Sequence, residues 1–479
     1  MPRKRFKNLL IACYLVYSIP SFANDISLGF ETNSYTLSQF VTESINEYTA
    51  LNIATLNINK LAYEIDKVSS QLGWVATSQG GYSRSASNFG IQTDTIDFGV
   101  GLEKKLESGN TFSISGKYAH SDSDQVLFSL SPNPSDTTNL DINYRIPLLE
   151  GKGNQQYQFD TRKALIEKNI AEIEKKKIKQ DLILKLIDIY YLVATIDSRL
   201  ETANKSLVRT QKLRKYIKNN INLGLLEKGD VLQVDSQIYT LNLEKQKILD
   251  LREKQITAIN RFLNKPYLSE FKIVASDLTL NYQSEEDEKI ISDVINHDYD
   301  VEKLKAQDKL LESALLLNRS NEKNKLDLVF SVGVQNRSGN SSTGSIDDTD
   351  TTGMMKFEYR NALDKRAFSS ARLQIQVDRE KNREQAASLK KDLEYDAYKF
   401  LKQVRKSKEI VHLTNKRTNN EELKYKDILK RFKNGRSTTN IVIQFDNERI
   451  RSELEYETER YELARRIDLL RLKRGLLFN

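Results

Sequence analysis

A segment that recurs without a gap constrains this chain of 479 residues more than any local motif does. Gly224-Leu225-Leu226-Glu227-Lys228-Gly229-Asp230-Val231-Leu232-Gln233-Val234-Asp235 returns as Gly435-Arg436-Ser437-Thr438-Thr439-Asn440-Ile441-Val442-Ile443-Gln444-Phe445-Asp446, an offset of 435 − 224 = 211. Glycine, valine, glutamine and aspartate occupy equivalent places in both copies. The register persists outside the segment, pairing Ile217 with Ile428, Leu243 with Leu454, Glu244 with Glu455 and Ile256 with Ile467. One glycine turn used twice, each time between long helical stretches, predicts two equivalent halves.

The first residues read as an export signal. Arg3, Lys4, Arg5 and Lys7 precede an apolar run from Leu9 to Ile19, and Ser21-Phe22-Ala23 supplies small residues for cleavage after Ala23. Leu10-Ile11-Ala12-Cys13 is the competing reading, a lipoprotein box that would lipidate Cys13. It leaves too short an apolar core, against the ~7 residues a signal needs. Cys13 is the only cysteine, so removal of residues 1–23 leaves no disulfide and no thiolate metal site. The 74 Lys+Arg fall to 70 against 66 Asp+Glu, a charge of +4. That small excess, spread along helices, argues against a nucleic-acid partner. No long uncharged apolar run follows the signal, so any membrane crossing must use β-strands.

Proline and glycine partition the rest. After Pro147 the only proline is Pro266; between Gly153 and Gly333 the only glycines are Gly224 and Gly229, and after Gly353 only Gly435 and Gly475 remain. Helix breakers are therefore absent for about 60 residues before each glycine turn and about 30 after it. Apolar residues keep helical spacing there: Ile166, Ile170, Ile173, Leu182, Ile189, Val193, Ile196 and Leu200, then Leu389, Leu393, Ala397, Leu401 and Val404. A helix of ~64 residues reaches roughly 95 Å, a coiled-coil or tube element. Residues 38–71 and 302–324 predict a shorter helix opening each half.

Period-two alternation marks the strands. It runs through Leu140–Ile146, Leu328–Val334, Met355–Tyr359, Ile96–Leu102 and Phe112–Tyr118, the last two forming a hairpin over 95–119, and also from Trp74 to Tyr82. Trp74, the only tryptophan, suits a lipid–water boundary. Residues 121–139 and 336–352 are polar and read as external loops. The runs have the length of tilted membrane strands, although a soluble half-buried sheet would alternate in the same way. Four to six strands cannot close a barrel, since ~8 is the smallest, so a membrane-spanning chain must oligomerise. The expected division is a signal at 1–23, a first repeat at 24–264, an equatorial connection at 265–300 and a second repeat at 301–479.

This order of elements resembles the TolC-like outer-membrane efflux family over nearly the whole processed chain. The resemblance rests on Ile146-Pro147-Leu148-Leu149-Glu150-Gly151-Lys152-Gly153, on both glycine turns, with Asp230-Val231-Leu232-Gln233 nearest the family pattern, and on Leu186 to Leu192 with Tyr190 and Tyr191. It implies a mixed α/β membrane protein: a homotrimer with a 12-stranded outer-membrane barrel continued by a periplasmic α-helical barrel. It also implies a periplasmic adaptor docked at tips marked by Gly224, Leu225, Gly435 and Arg436. An inner-membrane ABC exporter or proton-driven pump would supply the energy. By the same resemblance Asp230 would hold the tip closed. The family often places acids six and nine positions beyond the second glycine and a tyrosine three before it; here Ile441, Gln444 and Phe432 stand there, with Asp446 two residues further on.

Each of these residues has a plainer reading. Gly224 and Gly435 serve as helix C-caps in any case, and Asp230 suits the first turn of the following helix. Lys228 and Arg436 read as solvated charges. His120, His297 and His412 are isolated, and no HExxH, GxxxxGK or strand-linked GxGxxG occurs, so the inventory points to a non-enzyme without a cofactor or metal. The expected function is a passive exit duct for tripartite efflux or type I secretion. The alternative from another class is a periplasmic coiled-coil adaptor or scaffold outside the membrane.

Overall fold

The computed structural model describes residues 34–86, 91–124, 132–267, 269–274, 280 and 285–478. The expected signal, with Cys13 and Ala23, lies outside the described residues. The described residues open with a two-residue strand, Ser34–Tyr35 (β1), and helices Leu37–Glu47 (α1) and Thr49–Ser69 (α2). Four strands follow: Trp74–Ala86 (β2), Gln92–Lys105 (β3), Thr111–Ser123 (β4) and Ser135–Pro147 (β5). Then come Gln155–Asn222 (α3), Lys228–Phe262 (α4), Lys272–Ile273 (β6), Asp287–Asn296 (α5) and Tyr299–Asn321 (α6). The chain ends with Lys325–Ser341 (β7), Gly344–Arg360 (β8), Arg366–Lys433 (α7) and Thr439–Lys473 (α8).

The repeat governs the helices to the residue. Helices α3 and α7 each have 68 residues, and α4 and α8 each have 35. All four start points differ by the offset of the glycine turns, 366 − 155 and 439 − 228 both giving 211. Each 68-residue helix spans roughly 100 Å. The single helix expected at 38–71 is instead two. Tyr48 takes an extended backbone (φ −77°, ψ 107°) that ends α1. Thr36 caps α1 reciprocally with Gln39, each side chain accepting the other's backbone N–H. The counterpart helix runs 299–321 rather than 302–324.

All six long strands form one antiparallel sheet in the order β2-β3-β4-β5-β7-β8. The polar segment at 336–352 is not a loop. Its residues extend β7 and β8, and Ser341 pairs with Gly344 across a two-residue turn. Polarity there signals water on both faces of the ribbon, while the backbone still satisfies itself across the ladder. At the opposite end the β3–β4 turn is locked onto the corner between β5 and α3. Gly153 N–H donates to Ser108 O at 2.8 Å, and Asn154 Nδ2 donates to Leu106 O at 3.3 Å. Gly109 has φ +88°, and a Cβ on it would lie 2.2 Å from Gly151 O, so this turn accepts no side chain.

The main core gathers around the middle of α3. Leu182, Leu186, Ile187, Tyr190 and Val193 pack with Phe40 and Val41 of α1, Ile259 of α4, Phe271, and Tyr461 and Ala464 of α8. β1 pairs in parallel with β6, which ties the start of the chain to the connection between halves. Next to the sheet, α3 packs on α2 and α6, and α6 on α7; further away α3 packs on α4 and α8, and α8 on α7.

This core contains one buried carboxylate, Asp468, which accepts a 2.5 Å hydrogen bond from Tyr191 Oη. Burial raises the Asp468 pKa, opposed by the Tyr191 bond and by Arg471; burial and the nearby Asp468 charge raise that of Tyr191. The sign follows: stability is highest below the ordinary carboxylate pKa near 4 and declines as pH rises through the raised folded value, because charge must then be held in the core. Asp468→Asn should flatten that dependence and leave stability at pH 7 undiminished. Tyr191→Phe should cost about 1–3 kcal/mol at pH 7 by orphaning the carboxylate. Thermal unfolding between pH 4 and 8 checks both; an Asp468→Asn variant with an unchanged pH profile would refute the assignment.

Candidate membrane face and helical tips

The registers sort every strand residue onto one of two faces. One cross-strand row reads Ser78, Val100, Gly116, Leu140, Val334, Thr351, and two residues toward the helices the next reads Ala76, Leu102, Ile114, Ile142, Val332, Gly353. The row after that is Trp74, Lys104, Phe112, Tyr144, Phe330, Met355. The intervening rows are polar: Thr77, Gly101, Ser115, Asp141, Gly333, Thr352, then Gln79, Gly99, Lys117, Asn139, Gln335, Asp350. The sheet thus has one apolar and one polar face.

The apolar face is uncovered. Val332 is 64% exposed, Phe357 62% and Phe98 55%. A continuous apolar surface of this size is not left to water by a soluble sheet. Aromatic residues bound it at both ends. Trp74 packs edge-on against Phe112 at 6.1 Å, level with Tyr144, Phe330 and nearby Phe357. Tyr82 and Tyr118 stand at the far end, donating to Asp94 and Asp136. From Trp74 to Tyr82 the strand rises about 26 Å, which a 35–45° tilt reduces to about 20 Å, near the ~25 Å apolar band of outer-membrane barrels.

At the other end of the molecule the glycine turns are twins. Gly224 (φ +74°) and Gly435 (φ +72°) are left-handed caps with open space around them. In each, the glycine N–H bonds three residues back, to Ile221 O or Phe432 O, and the next N–H five back, to Asn220 O or Arg431 O. Both are Schellman caps. Leu223 and Leu225 are about 70% exposed at the first tip, 72% and 69%, while Arg436 is exposed at the second.

The residues tied to gating by resemblance separate. Asp230 sits in the first turn of α4, accepting from Glu227 N–H at 3.1 Å. Phe432 is turned inward, its ring 5.9 Å from that of Tyr216. It joins Ile217, Val234, Tyr425 and Val442 in a core shared by both helical hairpins. Ile441 and Gln444 stay on the exposed face of α8, whereas Asp446 is buried and does not join them. Asp446 therefore does not share a face of α8 with Ile441 and Gln444.

Asp446 belongs to an ionic cluster that the sequence reading missed. Arg449 is 4% exposed and donates to Asp446 Oδ1 at 2.9 Å and to Glu453 Oε2 at 3.1 Å, with Glu422 at 3.5 Å. Arg209 of α3 approaches Asp446 at 3.9 Å, and Tyr425 lies under the Arg449 guanidinium. Burial and the Asp446 charge push the Tyr425 hydroxyl up to about 12. Gln237 of α4 adds a 2.7 Å bond to Asn447 of α8. The Asp446-x-x-Arg449 spacing was the available signal. Among the described residues no group of His, Cys, Asp and Glu is placed to hold a metal ion, and no helix is long and apolar enough to cross a membrane.

A sheet greased on one face, standing on paired 100 Å helical hairpins, defines the fold of the TolC-like outer-membrane efflux channels, as the sequence resemblance implied. Three such structures give the measure of the likeness. CusC superposes with a TM-score of 0.64 at 10% identity, covering 97% of this chain and 99% of its own. VceC from Vibrio cholerae gives 0.60 at 12%, covering 92% and 96%. MtrE from Neisseria gonorrhoeae, an outer-membrane channel in its open state, gives 0.59 at 12%, covering 92% and 88%. No protein-family model and no curated protein sequence matches the chain.

The buried cluster yields a test. Arg449→Met leaves Asp446 buried without its partner and should cost about 3–5 kcal/mol, whereas pairing it with Asp446→Leu should recover most of that. Chemical denaturation of the two variants measures it. Equal losses in both would show that the charges are not coupled.

Proposed function

We propose that three copies of this chain form an exit duct in the outer membrane. It passively releases substrate handed over by a periplasmic adaptor and an inner-membrane ABC exporter or proton-driven pump, in tripartite efflux or type I secretion. The observation that carries this reading is the apolar, aromatic-bounded face of the sheet, backed by a polar face suited to a water-filled lumen. The helical hairpins continue that lumen into the periplasm. The periplasmic-scaffold alternative has no use for such a face. Processing after Ala23 would deliver the chain to the periplasm, with residues 24–264 and 301–479 as the two repeats and 265–300 at the equator.

On this reading Gly224, Leu225, Gly435 and Arg436 form the adaptor dock. The first capped turn, carrying exposed Leu223 and Leu225, offers an apolar contact for the adaptor's helices, and the second offers Arg436. The tip is held shut by packing and by the Asp446–Arg449 cluster, with Asp230 supporting it as a cap. The pore-side positions Ile441 and Gln444 are neutral, so no carboxylate there attracts a multivalent cation.

Two outcomes follow. The protein should fractionate with outer membranes, resist urea and alkaline extraction, and require detergent; release in soluble form by osmotic shock would end the duct reading. In planar bilayers, millimolar multivalent cations on the periplasmic side should leave conductance nearly unchanged, and Gln444→Asp should introduce block. Strong block of the unmodified channel would refute the neutral-tip assignment.

A further inference from the structure

We infer that the β3–β4 hairpin is a full part of the barrel wall, so that each copy supplies six strands and the three-copy ring closes an 18-stranded barrel rather than the expected twelve-stranded one. This rests on the duct reading for its copy number; the six strands are read from the sheet itself. Thirteen residue pairs join β3 to β2 and thirteen join it to β4, and β4 pairs with β5 over eleven. The hairpin lies inside the sheet, not on its edge. It carries the apolar face without interruption, through Phe98, Val100, Leu102, Ile114 and Tyr118. Its turn is clamped to the β5–α3 corner. Removing it from the wall would break two ladders and leave β2 without a neighbour.

The occupant of the open edges is a second copy of the chain. β2 and β8 are the two unpaired edges, and lipid does not tolerate unpaired N–H and C=O groups. An even number of alternating strands makes β8 of one copy antiparallel to β2 of the next. The helices present matching edges. α7 packs mainly toward α5, α6 and α8, meets α3 through Phe432 at the tip, and leaves Leu373, Val377 and Leu413 bare; on the other side α2 and α4 leave Leu56, Tyr63 and Tyr239 bare. The two edges differ, so the contact is head-to-tail, the arrangement that closes a ring.

The count sets the width. At about 4.8 Å between strands and a tilt near 40°, eighteen strands give a backbone diameter of roughly 36 Å and twelve roughly 24 Å. Equivalent backbone positions in a threefold ring are then about 31 Å apart, against about 21 Å.

The experiment uses the full chain in nanodiscs, with Cys13→Ser and Ile114→Cys carrying a spin label. Native mass spectrometry fixes the copy number, and electron–electron distance measurement reads the spacing. Three copies with labels in the wider class, about 10 Å beyond the twelve-strand value, support the inference. Electron cryomicroscopy of the unmodified protein should count eighteen strands, which guards against a label that disturbs the hairpin. Three copies with the narrower spacing, or twelve strands by direct count, would overturn the inference while leaving the duct intact. A mass other than three copies would overturn both.

Discussion

The backbone of a strand in lipid must find a partner for every N–H and C=O, and most of this architecture answers that requirement. The sheet satisfies it internally through five ladders, then leaves it unmet at β2 and β8. A soluble protein would blunt such edges with charge, proline or a covering helix. Here the edge strands reach 13 and 17 residues and contain no proline. Their apolar faces are as bare as those of the central strands.

The helices meet the parallel requirement by repetition. Two hairpins of 68 and 35 residues share one core at their tips, with Ile217 and Val234 from the first meeting Tyr425, Phe432 and Val442 from the second. Burial at that site is limited, because a two-hairpin bundle has a high surface fraction. The Asp446–Arg449 cluster adds direction rather than large net stability: paired charges in a thin core penalise any arrangement that separates them. It commits α8 to a register in which Ile441 and Gln444 face outward and Asp446 inward.

The long helices were legible in the sequence, ~64 residues expected against 68 found, because the absence of Gly and Pro left their limits to the two glycine turns. The strands were legible only where one face is apolar and the other polar. Ile96 to Leu102 alternates cleanly, but residues 336–352 sit where both faces of the ribbon are polar, and period-two contrast vanishes although the hydrogen-bonded ladder continues. β2 is diluted by Ser78, Gly80 and Gly81, so only its aromatic ends stood out. The break at Tyr48 was hidden by residues that all suit a helix. The Arg449 cluster was hidden for another reason: Glu422 and Arg209 come from other helices, and their approach depends on how the hairpins pack.

The two halves agree in their helices but not in their strands, and the form of the difference carries its own logic. The first half has four long strands before its 68-residue helix and the second has two. An insertion of one strand would reverse the direction of everything after it and leave the opening helix and the long helix at opposite ends of the sheet. An insertion of two preserves both, because β2 still leaves α2 and β5 still enters α3 at the same end. It also leaves β2 and β8 running in opposite senses at the two ends of the sheet. A wall of this kind can widen only by hairpins, and the clamp between Gly109 and Gly151 shows where such a hairpin must be fastened. The extra hairpin is confined to the sheet, since α3 and α7 keep one length and α4 and α8 another.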